Sequence, residues 1–388
     1  MIHKSMKRII FVIGSLDVGG AERHLFQLLP VLAQRGWSIS VYCLGRRGVL
    51  ADDLESRGVP VYASPLRTYT GMPGWYRIIR LAVASSKLLF LLVRRRPQIV
   101  HFFLPGAYLV GGICSYALGI RIRVMSRRSM NDYQRKRPCL AWFERQLHRT
   151  LHAALGNSEA VVSQLAGEGI HPEKLAMIYN GIDLSPFLRV RGRDIVRREL
   201  GLPNGAFVLI LVANLIPYKG HADLLSALAL ICHQLPEPWR MLMVGRDDSI
   251  GKVLVEQAAQ NGLNENVIWL GGRADVPDLL NASDLGLLCS HEEGFSNSIL
   301  EAMAAALPMV VTNVGGNAEA VLHGTTGMVS PVRNPKKLAE AILSVALSPR
   351  RRAMGEAGRD RVTSKFSIAG CADQYEAIYT RLINKVSR

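Results

Sequence analysis

The chain has 388 residues, 49% hydrophobic and 20% charged, which is a globular composition of two- or three-domain length and excludes a disordered chain. Its six cysteines include no C-x-x-C pair and no partner histidine cluster; this argues against a zinc site, an iron–sulfur site or a secreted disulfide framework and favours a reducing compartment. The formal net charge of +16 is uneven, with 25 Lys and Arg against 11 Asp and Glu in residues 1–185 and 22 against 20 in residues 186–388, so the first half should meet an anionic membrane face, a phosphorylated substrate or nucleic acid.

In chain order, residues 8–14 form an apolar run too short for a signal peptide and read as a first buried strand. Further strands are expected at 39–44, 98–103 and 122–125, then at 206–213, 240–245, 267–270, 285–289 and 309–312. These runs are apolar on both faces, which implies parallel strands covered by helices on both sides. Helical stretches of about 10–20 residues separate them, giving βαβ units.

The segment 75–96, WYRIIRLAVASSKLLFLLVRRR, is read as a crossover helix on the sheet, with a membrane-interface helix as the alternative. In either case Arg94, Arg95 and Arg96, where held near an anionic surface, would each add about 1 kcal/mol of attraction. The longest lipophilic stretch, between Arg80 and Arg94, is interrupted by Lys87 and falls short of the roughly 20 residues a bilayer span requires. A cytoplasmic location is therefore expected.

The chain turns at Asn180-Gly181-Ile182-Asp183, passes a charged stretch, breaks at Gly201-Leu202-Pro203-Asn204-Gly205, and restarts the strand pattern. The expected division is 1–185, 186–367 and a C-terminal helix in 368–388. The fold class is α/β, with two doubly wound parallel-sheet, Rossmann-like domains facing across a cleft. Such sheets bind ligands at the carboxyl ends of their strands.

Four constellations lie at such ends. Gly19-Gly20-Ala21-Glu22 opens a helix, where paired glycines let backbone N–H groups approach a phosphate or sugar; an ordinary tight turn uses the same residues. Glu293-Gly294-Phe295-Ser296-Asn297-Ser298-Ile299-Leu300-Glu301 sets two carboxylates around a loop and helix start that suit a diphosphate. Ser298 and Glu301 also read as a capping box, which needs no ligand. Lys219, in the turn after the strand at 206–213, suits phosphate. Arg127 and Arg128 suit an anionic group, or belong to an outward basic loop continuing to Arg135, Lys136 and Arg137. His101 either faces the ligand side or is a capped core histidine. There is no G-x-S-x-G, H-E-x-x-H or P-loop motif, and no metal cluster is evident.

Together these residues resemble a family-4 glycosyltransferase of the two-Rossmann-domain GT-B class, over about residues 8–376. The resemblance rests on Gly19-Gly20-Ala21-Glu22, Asn157-Ser158, Tyr179-Asn180-Gly181-Ile182-Asp183, Lys219-Gly220, Glu293 with Glu301, and Gly315-Gly316-Asn317-Ala318-Glu319. It implies a nucleotide-sugar donor bound by the C-terminal domain. Glu293 would contact sugar hydroxyls and Glu301 the ribose, while Lys219 and the amides of Phe295, Ser296, Asn297 and Ser298 hold the diphosphate. Gly19 and Gly20 would approach the donor from the first domain. The resemblance also implies retention of configuration, no bound metal or other cofactor, and a final helix returning to the first domain. The family's arginine before the lysine is Asn214 here, so Arg246, Arg127 and Arg128 become substitute phosphate ligands. The donor base is expected near Gly272-Arg273-Ala274-Asp275.

The expected site thus comprises Glu293, Lys219, Arg127, Arg128 and His101 for catalysis. For the donor it comprises Gly19, Gly20, Asn214, Lys219, Arg246, Arg273, Glu293, Gly294, Phe295, Ser296, Asn297, Ser298 and Glu301. The expected acceptor is a lipid-linked or growing saccharide, with peripheral contact to an anionic membrane and no nucleic-acid partner. A nucleotide-sugar epimerase is the alternative, and a nucleic-acid-binding protein a more distant one, since aromatic stacking platforms do not interleave the basic runs.

Overall fold

The computed structural model describes residues 7–66, 71–131, 134 and 137–387. The chain divides into two compact units, Met1–Gly181 with Ile368–Arg388, and Ile182–Ser367. The first division falls a few residues before the expected 185, because the Ile182 N–H already donates to Phe366 O at 2.8 Å within the second unit.

The first unit is built on a parallel sheet of β1 (Arg8–Ile13), β2 (Ser38–Cys43), β3 (Val61–Ala63), β4 (Ile99–Phe103), β5 (Ile122–Arg127), β6 (Ala153–Gly156) and β7 (Leu175–Met177). Their order is β3-β2-β1-β4-β5-β6-β7. Strand β1 shows why it is buried on both sides. Ile9, Phe11 and Ile13 enter one core with Leu25, Leu28 and Leu32; Ile10 and Val12 enter the other with Leu88, Leu92 and Tyr108. Successive side chains point to opposite faces, so a run apolar at every position needs cover on both.

Helix Gly20–Gln34 and the C-terminal helix Ile368–Ser387 cover the first face. The latter contributes Cys371, Tyr375 and Tyr379 at four-residue steps, with Ala372 and Leu382 beside them. Helices Gly74–Arg95, Pro105–Ala117 and Pro138–His148 lie on the other side, each packed on the next.

The second unit holds β8 (Phe207–Val212), β9 (Trp239–Val244), β10 (Val267–Gly271), β11 (Leu285–Leu288), β12 (Met309–Thr312) and β13 (Gly327–Ser330). These form a parallel sheet ordered β10-β9-β8-β11-β12-β13. In each sheet the order reverses once, between β1 and β4 and between β8 and β11. The crevice outside the carboxyl ends at such a reversal is where doubly wound sheets take ligands.

Candidate active site

In the second unit the two strands at the reversal carry the two most telling side chains. Lys219 follows β8 and Glu293 follows β11. The Lys219 Nζ donates to Glu293 Oε1 at 2.5 Å, and Ser290 Oγ donates to the same oxygen at 2.8 Å. Both charged side chains are largely covered, with 17% and 11% of their surface exposed. Burial pulls the Lys219 ammonium toward the neutral form, but the charge and hydrogen bond of Glu293 outweigh it, so its pKa is raised and it stays a cation.

Backbone shape holds this pair in place. Gly220 sits at φ +72°, and a Cβ there would stand 2.0 Å from Cys289 O; only glycine lets the Lys219 turn close on the end of β11. The His291 N–H donates to Tyr218 O at 2.7 Å, and Thr312 Oγ1 donates to Ser290 O at 2.6 Å. Behind the loop, Gly315 is at φ +51°, where a Cβ would lie 1.9 Å from Glu293 O. The Gly316 N–H donates to Gly294 O at 2.7 Å. The paired glycines after β12 therefore brace the Glu293-Gly294 backbone.

Helix Asn297–Ala304 starts directly after this loop, and its N-cap is Ser296, whose side chain makes no capping bond. Ser298 lies inside the helix, so the Ser298–Glu301 capping box does not form. Phe295 is buried, its ring 5.3 Å from that of Phe366, and Ile299 and Leu300 are fully buried. The apolar residues thus anchor the helix so that its amino end faces the carboxyl side of β11, where backbone N–H groups and the helix dipole favour an anion.

The other expected donor residues lie further out. Asn214 Oδ1 accepts the Arg246 backbone N–H at 3.1 Å, while the exposed Arg246 guanidinium makes two bonds to Asp248, at 2.7 and 3.1 Å. Arg273 is bonded twice to Asp275, at 2.8 and 2.6 Å. It follows edge strand β10, two strand spacings or about 10 Å from β8. Beside it Ala274 and Asp275 line a shallow cavity of about 490 Å³ with Ser185, Pro186 and Arg189.

In the first unit, Gly19 is the N-cap of helix Gly20–Gln34. A Cβ on Gly19 would lie 2.4 Å from Glu22 Oε2, whereas one on Gly20 would meet nothing within 4 Å, so the helix start is open. Around the reversal of this sheet, Gly14, Ser15, Asp17, Arg46, Arg80 and Leu104 help to line a cavity of about 750 Å³. Arg46 Nε donates to Asp17 at 2.7 Å. Leu104 enters helix Pro105–Ala117 at φ +71°, a left-handed conformation uncommon outside glycine. Arg46, Arg80 and Leu104 were not among the expected residues. They come from three separate elements, each ordinary in its local context, and only the sheet order brings them together.

Two expectations for the first unit are overturned. His101 lies mid-strand in β4 and is fully buried, with Nδ1 bonded to Tyr379 Oη at 2.6 Å and Nε2 to Ser126 Oγ at 2.8 Å. Burial holds its pKa well below the usual histidine value, so it is a neutral core residue that does not face the ligand side. Arg127 is the last residue of β5 and is 1% exposed. It donates to Glu144 at 2.5 Å and to both oxygens of Glu168, which leaves the guanidinium no open face for a substrate. Its neighbour Arg128 is half-buried and donates to Asn180 Oδ1 at 2.7 Å and Tyr375 Oη at 3.1 Å, fixing the turn at 180 and the C-terminal helix. Arg135 and Lys136 lie outside the described residues.

Among the described residues Glu144, His148 and Glu168 have ligand-atom spacing suited to a metal ion, but the cation seated between the two glutamates is the Arg127 guanidinium. No helix among the described residues is long and apolar enough to cross a membrane.

Residues 18–186 match the profile of "Glycosyltransferase Family 4" and residues 192–361 that of "Glycosyl transferases group 1". The chain belongs to the family-4 glycosyltransferases. This glycosyltransferase is 28% identical over 293 residues to N-acetyl-alpha-D-glucosaminyl L-malate synthase of Bacillus anthracis, spanning 72% of this chain and 73% of that protein. It is 26% identical over 216 residues to UDP-Gal:alpha-D-GlcNAc-diphosphoundecaprenol alpha-1,3-galactosyltransferase of Escherichia coli, spanning 55% of this chain and about half, 56%, of that protein. Among solved structures, Anabaena HepE in complex with UDP-glucose has a TM-score of 0.82 at 25% identity, over 96% of this chain and 99% of that one. The fold is GT-B, and the enzyme transfers a sugar from a nucleotide-sugar, which decides for transfer over epimerisation.

Proposed function

We propose that this glycosyltransferase is a retaining, metal-independent hexosyltransferase-type enzyme that extends a lipid-linked or growing saccharide of a cell-surface polysaccharide or lipopolysaccharide at the cytoplasmic membrane face. The observation carrying the donor part is the meeting of Lys219, Glu293 and the amino end of helix Asn297–Ala304 at the sheet reversal. An ammonium has three N–H donors and Glu293 takes one, so Lys219 keeps donors for a diphosphate. Glu293 Oε2 then accepts from a sugar hydroxyl, and Glu301 from the ribose. Charge developing on the departing nucleotide diphosphate is met by Lys219 and backbone N–H groups, an electrostatic stabilisation already oriented before reaction. The relatives support this reading: HepE is seen in complex with UDP-glucose, and the name of the Escherichia coli enzyme gives UDP-Gal with a diphosphoundecaprenol-linked sugar. The first unit's cavity, with Arg46 and Arg80 on its wall, is the proposed acceptor side.

The test is incubation with UDP-sugars, with and without a polyprenyl-diphosphate-linked saccharide, and NMR assignment of the product's anomeric configuration. Transfer with the donor's configuration kept is expected. An inverted product, or a chelator-sensitive rate, would contradict the reading.

A further inference from the structure

Helix Gly74–Arg95 buries Ala84, Leu88, Leu91 and Leu92, as a crossover helix should. The opposite side of such a helix is ordinarily polar. Here Trp75, Ile78, Phe90 and Val93 stand there, 64%, 71%, 66% and 55% exposed. At 100° per residue these four fall within about a third of a turn of one another, with Ala82 and Ser86 between them. The helix is thus apolar on two opposite faces, and the sheet accounts for only one.

The neighbouring helices widen the second face. Helix Pro105–Ala117 packs beside Gly74–Arg95 and helix Pro138–His148 beside Pro105–Ala117. Trp142 and Phe143 on the last are 57% and 56% exposed, their rings 4.9 Å apart. Charge on the three helices has one sign outside: Arg77, Lys87, Arg94, Arg95 and Arg145 are exposed, and the only acidic residue, Glu144, is buried against Arg127. In the second unit the exposed Val253 and Val255 sit instead on a helix that also carries Lys252 and Glu256, the mixed pattern of a solvated surface.

We propose that this three-helix face of the first unit docks on an anionic membrane surface. Trp75, Ile78, Phe90, Val93, Trp142 and Phe143 enter the headgroup boundary, and the exposed Lys87, Arg94 and Arg145 on its flanks meet lipid phosphates; Arg95 turns the other way, to the Tyr62 hydroxyl. A protein partner of ordinary surface composition would leave unmatched cations across such a face. A bilayer with anionic headgroups over hydrocarbon matches both the single charge sign and the bulky apolar side chains. The inner side of the same helix, through Arg80, Leu81 and Ala84, walls the first unit's cavity, so a headgroup-borne acceptor has a short route to it; that consequence alone rests on the acceptor reading above.

The test is co-sedimentation of the full chain with vesicles of phosphatidylcholine alone and of phosphatidylcholine with an equal part of phosphatidylglycerol. Binding only to the anionic vesicles, weakened by salt, is expected. Trp75→Ser with Phe90→Ser should weaken it more than tenfold. Lys87→Gln with Arg94→Gln should weaken it roughly fivefold per charge. Val253→Ser in the second unit should leave it unchanged. All these positions are exposed, and melting curves confirm that each variant folds. The proposal is overturned if the parent chain ignores anionic vesicles or if both face variants bind as the parent does. It is also overturned if Trp75→Ser with Phe90→Ser only dissociates a dimer, which would make a second copy the occupant. Binding is read without donor or acceptor, so its failure leaves the transferase reading standing, and the converse holds.

Discussion

Each unit keeps a covered cation beside carboxylates at the end of a strand, and the two arrangements do opposite things. In the first unit Arg127 ends β5, is 1% exposed, and is wrapped by Glu144 and Glu168. In the second, Lys219 stands on a turn past β8, retains 17% side-chain exposure, and shares one carboxylate oxygen with Ser290. The first cation is sealed and fastens a core; the second lies where a ligand can reach it. Depth past the strand end, more than residue type, separates the sealed charge from the one proposed to meet the donor.

Breaking the sealed cluster should have the largest effect on stability. Glu168→Ala leaves a buried guanidinium short of its main partner, which costs about 3–5 kcal/mol, and calorimetry should show the first unit melting early. The same cluster predicts acid sensitivity. Burial alone would raise the Glu168 pKa, but hydrogen bonds from His148, Arg127 and Asn131 and the charge of Arg127 hold it well below the ordinary range. A depressed carboxylate contributes its full stability above the unfolded value, about 4.3, and loses it as pH falls through the folded one. The parent's first unit should therefore destabilise on acidification, and Glu168→Ala should flatten that dependence.

Lys219→Ala sharpens the comparison from the other side. Turnover should fall about a hundredfold or more, as on loss of one charge-stabilising donor, with a smaller loss of melting temperature than Glu168→Ala gives, because Glu293 keeps its Ser290 bond and some exposure. A folding defect with near-normal turnover would make Lys219 another sealed cation. Gly315→Ala should act more mildly, costing about 1–3 kcal/mol through its left-handed backbone and the contact with Glu293 O. Donor affinity should fall along with the second unit's melting temperature.

Much of this architecture was legible in the residues. The doubly apolar runs mark nine strands to within a residue or two, because only strands covered on both faces tolerate them. Strands β3, β7 and β13 escape because they are edge strands of three or four residues, and β6 because Ala153-Ala154-Leu155-Gly156 has too little bulk to show a pattern. The glutamate block and Lys219 were legible through their place after strands. Arg127 was misread because β5 runs two residues longer than its apolar segment, drawing Ser126 and Arg127 into the sheet. His101 was misread because a polar residue in an apolar strand does not announce its partners, here Ser126 and a tyrosine 278 residues away.

The central claim is that a nucleotide-sugar diphosphate binds at Lys219, Glu293 and the start of helix Asn297–Ala304. Thermal denaturation with a panel of nucleotide-sugars tests it most directly, since a ligand bound only by the native state at a hundred times its Kd adds about 2.7 kcal/mol. The account predicts that at least one member raises the melting temperature of the parent and that Lys219→Ala and Glu293→Ala each remove the shift. Stabilisation surviving in both variants, or shown by no member of the panel, would contradict it.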